Sequence, residues 1–380
     1  GKGMTLNPCR GAMTQTYRLA EVFNQQQTLI ATVEQDERTA YFYIRPAEPF
    51  RGQFAVRGCW LRNLLPAPAQ EDSEAMAQGI PPLLSAEYCR TLEAEPILHP
   101  AGLQVIWTPG DDGAALWYQG QLLAVIPGWS LYQDKQVSFS AGCIKENRLT
   151  APLGSASTNS WYARAEKDRL FWRDWQDAQP WEGIQREMLR CYEAQYGESL
   201  KYYAIDQGSW PPMAISQHYH QGNWYFLTLG MSIRPMPWID FLYKDKDAAD
   251  HRRIELAMAI DGEVMSEENA VQMASALASF AHFPWARLSW LGEGHTLSSA
   301  VAPIGFEGFL LSATLGDSFT LPPREGEKVT LLWATPVTAA EQEFVEQEPQ
   351  GGLQLVERLT EAGCNPVFRA RPELVDPPAG

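Results

Sequence analysis

Hydrophobic and polar residues alternate with a period of two in the segment RRIELAMAI, residues 252–260. One face of the implied strand carries large apolar residues: Ile254, Leu256, Met258 and Ile260. The opposite face carries two charged and two small residues: Arg253, Glu255, Ala257 and Ala259. This alternation is typical of a strand in a sheet with one well buried face. We therefore predict a strand over residues 252–260.

Three other segments rich in apolar and aromatic residues predict strands over residues 223–233, 306–315 and 328–337. A helix is predicted over residues 267–281, with Ser266 as its N-cap and Pro284 as its stop. Its apolar residues recur at helical spacing: Val271, Ala274, Leu277, Ala278 and Ala281. We expect this helix to cover one face of a mixed or antiparallel sheet built from the four strands.

The first 150 residues contain shorter apolar segments separated by turn residues. They predict two hairpins, with strands over 28–33 and 39–45 and over 113–118 and 121–127, and single strands over 54–61 and 103–108. A small polar run at 154–159 predicts a linker. The chain is therefore predicted to be α+β with two domains. These are a mainly-β N-terminal domain, 13–155, and an α+β C-terminal domain, 156–375.

The composition is that of a folded protein, with 45% hydrophobic and 11% aromatic residues. We find no run of about 18 apolar residues, as a transmembrane helix would need, and no secretion signal. Six cysteines are scattered without a C-x-x-C pair, which in a long chain is typical of reduced thiols. These features predict a cytoplasmic protein that is not embedded in a membrane.

The formal net charge of −16 bears on the class of partner. Such a field repels phosphate backbones and anionic lipid, so nucleic-acid binding and membrane-surface binding are not expected. It would speed association with a basic partner. Plain solubility is the other interpretation of the same charge.

Two groups of residues raise the question of catalysis. Ser232 lies in GMSIR, which begins like a G-x-S-x-G nucleophile elbow but ends in Arg234 instead of glycine. A strand end or a bulge is the alternative interpretation. His218 and His220 share a face if they lie on a strand, and a metal would need a third ligand, which His295 or Asp206 could supply. The alternative is a pair of polar residues near a sheet edge.

No glycine-rich phosphate-binding motif occurs in the sequence, and we predict no cofactor and no bound metal. An enzyme nevertheless stays open as an alternative, because catalytic residues come from separated positions. It would be an uncharacterised hydrolase or a metal-dependent enzyme using His218, His220 and His295.

Several separated motifs resemble the suppressor of fused (SUFU) family and occur in the family's order. They are YFLTLGMS, RRIELAMAI, LASFAHFPW and GEGHTL, followed by GFLLSATLGDSFTLPPREGEKVTLLWATPVTAAE. The resemblance covers roughly residues 200–359, and none of these motifs is catalytic. It implies a non-enzymatic, regulatory protein that binds a protein or peptide partner.

By motif position, the resemblance implies three partner-binding residues. Phe280 matches the aromatic residue of the family's L-A-x-[YF] helix, and His295 matches the turn histidine. Glu293 is the nearest acidic residue, because Gly294 stands where the family has an acid directly before that histidine. Phenylalanine at 280, where the animal proteins have tyrosine, is a second departure.

A chain with its own N-terminal domain resembles bacterial members of the family. These are thought of as immunity proteins, which bind and neutralise a toxin domain in the cytoplasm. The identity of the partner, the oligomeric state and the role of the N-terminal domain stay open. A purely structural subunit is a third possibility, which a large apolar interface would indicate.

Overall fold

The chain divides into two compact units, Gly1–Asp174 and Trp175–Gly380. The computed structural model describes residues 3–9, 12–128, 137–243, 245–316 and 319–376. No helix in these ranges is long and apolar enough to cross a membrane. The domain ranges 13–155 and 156–375 stay a prediction.

Antiparallel strand pairs dominate the first unit. Its described strands are β1 (Gly3–Cys9), β2 (Ala12–Phe23), β3 (Leu29–Gln35), β4 (Thr39–Pro46), β5 (Arg57–Asn63), β6 (Leu103–Trp107), β7 (Ala114–Tyr118), β8 (Gln121–Ile126), β9 (Phe139–Ser140) and β10 (Ala151–Pro152). They form two five-stranded sheets, in the orders β1-β2-β3-β4-β5 and β10-β9-β8-β7-β6. Both predicted hairpins are present, as β3–β4 and β7–β8. Gln119 and Gly120 turn the second hairpin at positive φ, as a tight hairpin turn requires.

Two α-helices are described in the first unit, α1 (Ser73–Gln78) and α2 (Trp161–Asp174). Asp72 caps α1 by accepting a hydrogen bond from the Ala75 N–H, and Gly79 ends it in the left-handed conformation. Trp161 and Ala165 of α2 pack against the sheet that contains β7 and β8. The helix therefore belongs to the core of that sheet.

One mixed sheet organises the second unit. Its described strands are β11 (Lys201–Ala204), β12 (Ala214–His220), β13 (Asn223–Leu229), β14 (Arg253–Asp261), β15 (Thr296–Ser298), β16 (Gly308–Ser312), β17 (Val329–Val337) and β18 (Val367–Phe368). The order is β11-β12-β13-β14-β17-β16-β15, and β18 also pairs with β14. β14 runs parallel to β17 and β18, and the other pairs are antiparallel. The four predicted strands are the neighbours β13, β14, β17 and β16, so the predicted α+β class and mixed sheet are confirmed.

The helices of the second unit begin and end at local sequence signals. Those described are α3 (Gln179–Tyr196), α4 (Ile239–Leu242), α5 (Glu267–Ala274), α6 (Ala276–Ala286), α7 (Ala339–Gln347) and α8 (Gly351–Glu361). Ser266 caps α5 by accepting from the Asn269 N–H, as predicted. Thr338 and Glu341 form a reciprocal capping box at α7.

Both faces of the sheet are buried in the region of β14. The stripe from Ile254 to Ile260 packs under α5 and α6, as predicted. Ala257 and Ala259, on the other face, pack under Tyr192 of α3. The prediction of a single buried face is therefore wrong, because α3 covers the face that carries the small residues. All of residues 253–260 are buried.

Two of the differences between predicted and observed boundaries have a local structural cause. The strand predicted over 223–233 ends at Leu229, because Gly230 turns the chain at φ 110° into a 3-10 turn, Met231–Ile233. The helix predicted over 267–281 is two helices that meet at Ser275, and α6 continues through Pro284 to Ala286. The fixed φ of proline is compatible with a helix, and burial of Pro284 holds this last turn against the core.

Candidate functional site

The three residues that the resemblance suggests for partner binding all contact β16. The ring of Phe280 lies 5.7 Å from that of Phe309. The Leu311 N–H donates to the His295 carbonyl oxygen at 2.8 Å, and the carboxylate of Glu293 accepts hydrogen bonds at the end of the strand. The fold therefore brings together residues that the sequence separates.

Phe280 is a core residue of this site. It lies on α6, is 5% exposed, and packs among the buried residues of α6 and β16. Its edge-to-face contact with Phe309 directs the ring towards the sheet. Phe280 therefore supports the site from inside the protein.

The carboxylate of Glu293 accepts three hydrogen bonds from the end of β16 and the loop that follows it. Its Oε1 accepts from the Ser312 hydroxyl at 2.5 Å and from the Thr314 hydroxyl at 2.8 Å. Its Oε2 accepts from the Ala313 N–H at 2.6 Å. A partly exposed carboxylate with three hydrogen bonds is held in place, so it presents a fixed negative charge at the surface.

His295 belongs to a row of partly exposed aromatic side chains. Its ring lies 4.3 Å from that of Trp290 in a T-shaped contact, and Trp290 makes a second T-shaped contact with Tyr243. The Gly292 N–H donates to Nδ1 of His295 at 3.2 Å. Burial lowers the pKa of His295, so the ring is neutral near pH 7. We refer to Tyr243, Trp290, Glu293 and His295 as the His295 surface.

Gly294 has a steric reason for being a glycine. Its φ is +85°, and a Cβ there would lie 2.9 Å from the carbonyl carbon of Gly352 at the start of α8. A Cβ on Gly352 would in turn overlap the backbone of Gly294. The acidic residue that the SUFU resemblance places before the turn histidine therefore does not fit in this chain.

Ser232 lies in a buried turn and is 0% exposed. Its hydroxyl donates to Oε2 of Glu255 at 2.6 Å, and its N–H donates to the same oxygen at 3.0 Å. The N–H groups of Gly230 and Met231 and the hydroxyl of Thr228 also donate to this carboxylate. Burial raises the pKa of Glu255, and the hydrogen bonds from Ser232, Thr228 and Gly230 oppose that shift. The geometry makes Ser232 a structural donor in the core.

Arg253 holds the same turn from its carbonyl side. Its guanidinium donates at 2.9 Å to the carbonyl oxygens of Ser232 and Ile233. It also pairs with Glu327 at 2.9 Å and is 5% exposed. Arg253 and Glu255 are neighbours on one face of β14. Glu255 binds the N–H groups of the turn, and Arg253 binds its carbonyl oxygens.

The two neighbouring histidines lie far from His295. His218 is 0% exposed, and its ring nitrogens lie 2.8 Å from the Gly197 carbonyl oxygen and 2.9 Å from the Ser216 hydroxyl. β12 is second in the sheet and β15 is seventh, and strands are about 4.8 Å apart, so His218 and His295 are separated by roughly 24 Å. β12 is the second strand of the sheet, beside the edge strand β11, so His218 lies near a sheet edge but is buried. Across the described ranges, no group of three or more His, Cys, Asp or Glu side chains is placed to hold a metal ion.

Sequence reasoning did not find the Glu255 network. Glu255 and Arg253 fall on the face of β14 that the alternation assigns to solvent. The only local signal is Gly230-x-Ser232, which marks a turn but does not reveal which carboxylate fills it. Charged residues are almost never fully buried unless paired, and here the pairing comes from distant segments.

Comparison with known proteins shows which family the C-terminal part of the chain resembles. Residues 206–371 match the family model of the Suppressor of fused protein (SUFU), so this part is SUFU-like, as the resemblance predicted. The match includes Phe280, Glu293 and His295. A comparison with curated proteins finds no match to the chain.

Proposed function

We propose that this SUFU-like chain is a non-enzymatic regulatory protein that binds a basic protein or peptide partner. We further propose that it acts as a toxin-neutralising immunity protein in the bacterial cytoplasm. The family match over residues 206–371 supports a regulatory, protein-binding role.

The negative charge is concentrated in the second unit, and this supports a basic partner. The unit Trp175–Gly380 holds 28 Asp and Glu against 14 Lys and Arg, a net charge of −14. The unit Gly1–Asp174 holds 18 against 16, a net charge of −2. The field that attracts a basic partner therefore originates in the same unit as the SUFU match.

The His295 surface suits side chains of such a partner. Tyr243 and Trp290 offer partly exposed aromatic rings, and aromatic faces attract Lys and Arg through cation–π contacts. Glu293, three residues after Trp290 in the chain, adds a carboxylate held by hydrogen bonds from Ser312 and Ala313. Phe280 contributes beneath the surface, by holding β16 through Phe309.

Affinity capture from the source cell's lysate, followed by binding kinetics with the purified partner, tests the proposal. Salt screens exposed charges over a Debye length that falls from about 10 Å at 0.1 M to about 3 Å at 1 M. We expect added salt to lower the association rate by about tenfold or more and to change the dissociation rate much less. No captured partner, together with turnover of a small molecule by the purified chain, would support the enzyme alternative instead.

A pair of tryptophan variants tests the surface itself. Trp290→Ala should weaken binding by about 30-fold, the effect of losing a hot-spot aromatic. Trp210→Ala, which removes a 37% exposed tryptophan of the same unit outside the His295 surface, is the matched control and should leave binding unchanged. Phe280→Ala should also weaken binding more than Glu263→Ala, an exposed charge, with circular dichroism confirming that each variant is folded. Equal effects of Trp290→Ala and Trp210→Ala on binding would show that the His295 surface does not contact the partner.

The immunity role is tested in cells. The captured partner is expressed alone and together with the chain, and growth is followed. We expect the partner alone to arrest growth and the chain to restore it, with Trp290→Ala restoring less. If the partner alone does not arrest growth, the toxin-neutralising role is rejected and the chain is a regulatory binder.

A further inference from the structure

Cys89 and Cys143 face each other across an antiparallel bridge in the first unit. The Arg90 N–H donates to the Gly142 carbonyl oxygen, and the Ile144 N–H donates to the Tyr88 carbonyl oxygen, both at 2.9 Å. These flanking bonds make the cysteines a non-hydrogen-bonded pair, in which the Cα atoms are about 4.5 Å apart. A disulfide accepts Cα separations of about 4.4–6.8 Å, so the backbone already meets the requirement.

The two side chains also lie in one place. Directly opposite residues of an antiparallel pair point to the same face, and both cysteines belong to one buried cluster with Trp60 and Leu84. As donors, the thiols make weak hydrogen bonds to carbonyl oxygens, among them that of Cys89 to Leu84 at 3.3 Å and that of Cys143 to Lys145 at 3.1 Å. These bonds are easily exchanged when the side chains rotate towards each other.

We propose that Cys89 and Cys143 are a disulfide-forming pair, which closes when the protein meets a hydroperoxide or a small-molecule disulfide. With a small-molecule disulfide, one cysteine thiolate attacks a sulfur of that disulfide, which forms a mixed disulfide and releases one small thiol, and the second cysteine then displaces the other small thiol. With a hydroperoxide, one cysteine thiolate attacks the peroxide oxygen and becomes a sulfenic acid, releasing an alcohol or water. The second thiol displaces water from that sulfenic acid and forms the S–S bond. Two thiols are oxidised by two electrons, and the peroxide is reduced by the same two.

Closure of this pair acts on a neighbouring cleft of the same unit. The cleft has a volume of about 470 Å³, and its lining includes Ser85, Tyr88 and Asn147. Tyr88 directly precedes Cys89 in the chain, and the Asn147 amide donates to the sulfur of Cys143 at 3.4 Å, a bond that a disulfide sulfur can still accept. The disulfide therefore joins two walls of the cleft and fixes its width.

The full chain is treated with hydrogen peroxide and, separately, with oxidised glutathione, and disulfides are mapped by mass spectrometry without reduction. The reaction is run at about pH 8.5, because burial raises the pKa of Cys89 to about 11 and also raises that of Cys143, which leaves few thiolates near pH 7. We expect one linked peptide pair, containing residues 89 and 143, and the loss of two hydrogen atoms.

Serine variants separate the pair from other thiols. Cys89→Ser and Cys143→Ser should each abolish the link, whereas Cys59→Ser, which changes a buried thiol that lies 3.4 Å from the Thr150 hydroxyl, should keep it. In the unsubstituted chain and in Cys59→Ser, oxidation should raise the melting temperature by several degrees, and dithiothreitol should reverse the rise. Oxidation that yields only sulfenic acid, glutathione adducts or a link to another cysteine would overturn the proposal.

Discussion

Replacing Glu255 by leucine removes the acceptor of five hydrogen bonds and leaves their donors inside the core. Three donors are backbone N–H groups, of Gly230, Met231 and Ser232, and these cannot turn away while Arg253 holds the carbonyl side of the same turn. A buried N–H without a partner costs about 1–3 kcal/mol, so the three together cost about 3–9 kcal/mol. Relief of carboxylate burial and the apolar side chain of leucine offset part of this, and we expect a net loss of at least about 3 kcal/mol.

Glu255→Gln should lose less stability than Glu255→Leu, because it removes fewer of the hydrogen bonds. An amide nitrogen in place of Oε1 would face the Met231 N–H and the Thr228 hydroxyl. The hydroxyl can rotate to accept a hydrogen bond from the amide, whereas the Met231 N–H cannot. One buried donor is then unsatisfied, and the expected loss is about 1–3 kcal/mol.

Equilibrium urea unfolding followed by tryptophan fluorescence measures these losses, and amide hydrogen exchange at 230–232 locates them. Glu263→Gln, at an exposed position near the end of β14, should change stability by less than about 0.5 kcal/mol. Since a domain is stable by only about 5–15 kcal/mol, Glu255→Leu should unfold well before the other variants. If Glu255→Leu and Glu255→Gln lose the same amount, or if the leucine variant matches the parent, the hydrogen-bond network does not stabilise the turn.

Two further changes test packing and ionisation. Gly294→Ala should lower stability by more than about 2 kcal/mol, because the Cβ meets Gly352 and φ is positive. Gly326→Ala is the control, since Gly326 has φ +73° but open space around it, and it should lose distinctly less stability in the same thermal melts. Equal losses would contradict the steric argument. Burial lowers the pKa of His218, so below its unfolded value of about 6.5 the unfolded chain binds more protons than the folded one, and stability falls as the pH drops through that window. Urea midpoints measured across this range should show a smaller slope for His218→Asn, and an unchanged slope would assign the pH dependence to other groups.

Local patterns were enough to predict the centre of the SUFU-like sheet. β13, β14, β16 and β17 each have an apolar or alternating segment, and the capping box of Thr338 and Glu341 marks the helix that follows β17. By contrast, β12 carries Ser216 and His218 in its middle, and both are fully buried. Their polar atoms are satisfied by each other and by Gly197, a contact that no pattern within β12 reveals.

The features that depend on distant partners could not be predicted. Arg253 has the position of a solvent-facing residue in the alternation, and only Glu327 and the turn at 232–233 explain its burial. Cys89 and Cys143 are separated by the whole of β6, β7, β8 and β9, so their spacing indicated isolated thiols. In both cases the sequence supplies the chemistry of the residue, and the topology decides what lies opposite to it.

Gly294 and Gly352 approach each other so closely that a side chain at either position would meet the backbone of the other, and we therefore expect the two positions to change together among relatives. A relative that carries an acidic residue directly before the turn histidine needs room that the first turn of α8 occupies in this chain. It must therefore have shifted or lost the start of that helix. A relative with glycine at both positions should share this position of α8. A relative with another residue at either position should have a turn that can hold an acidic residue.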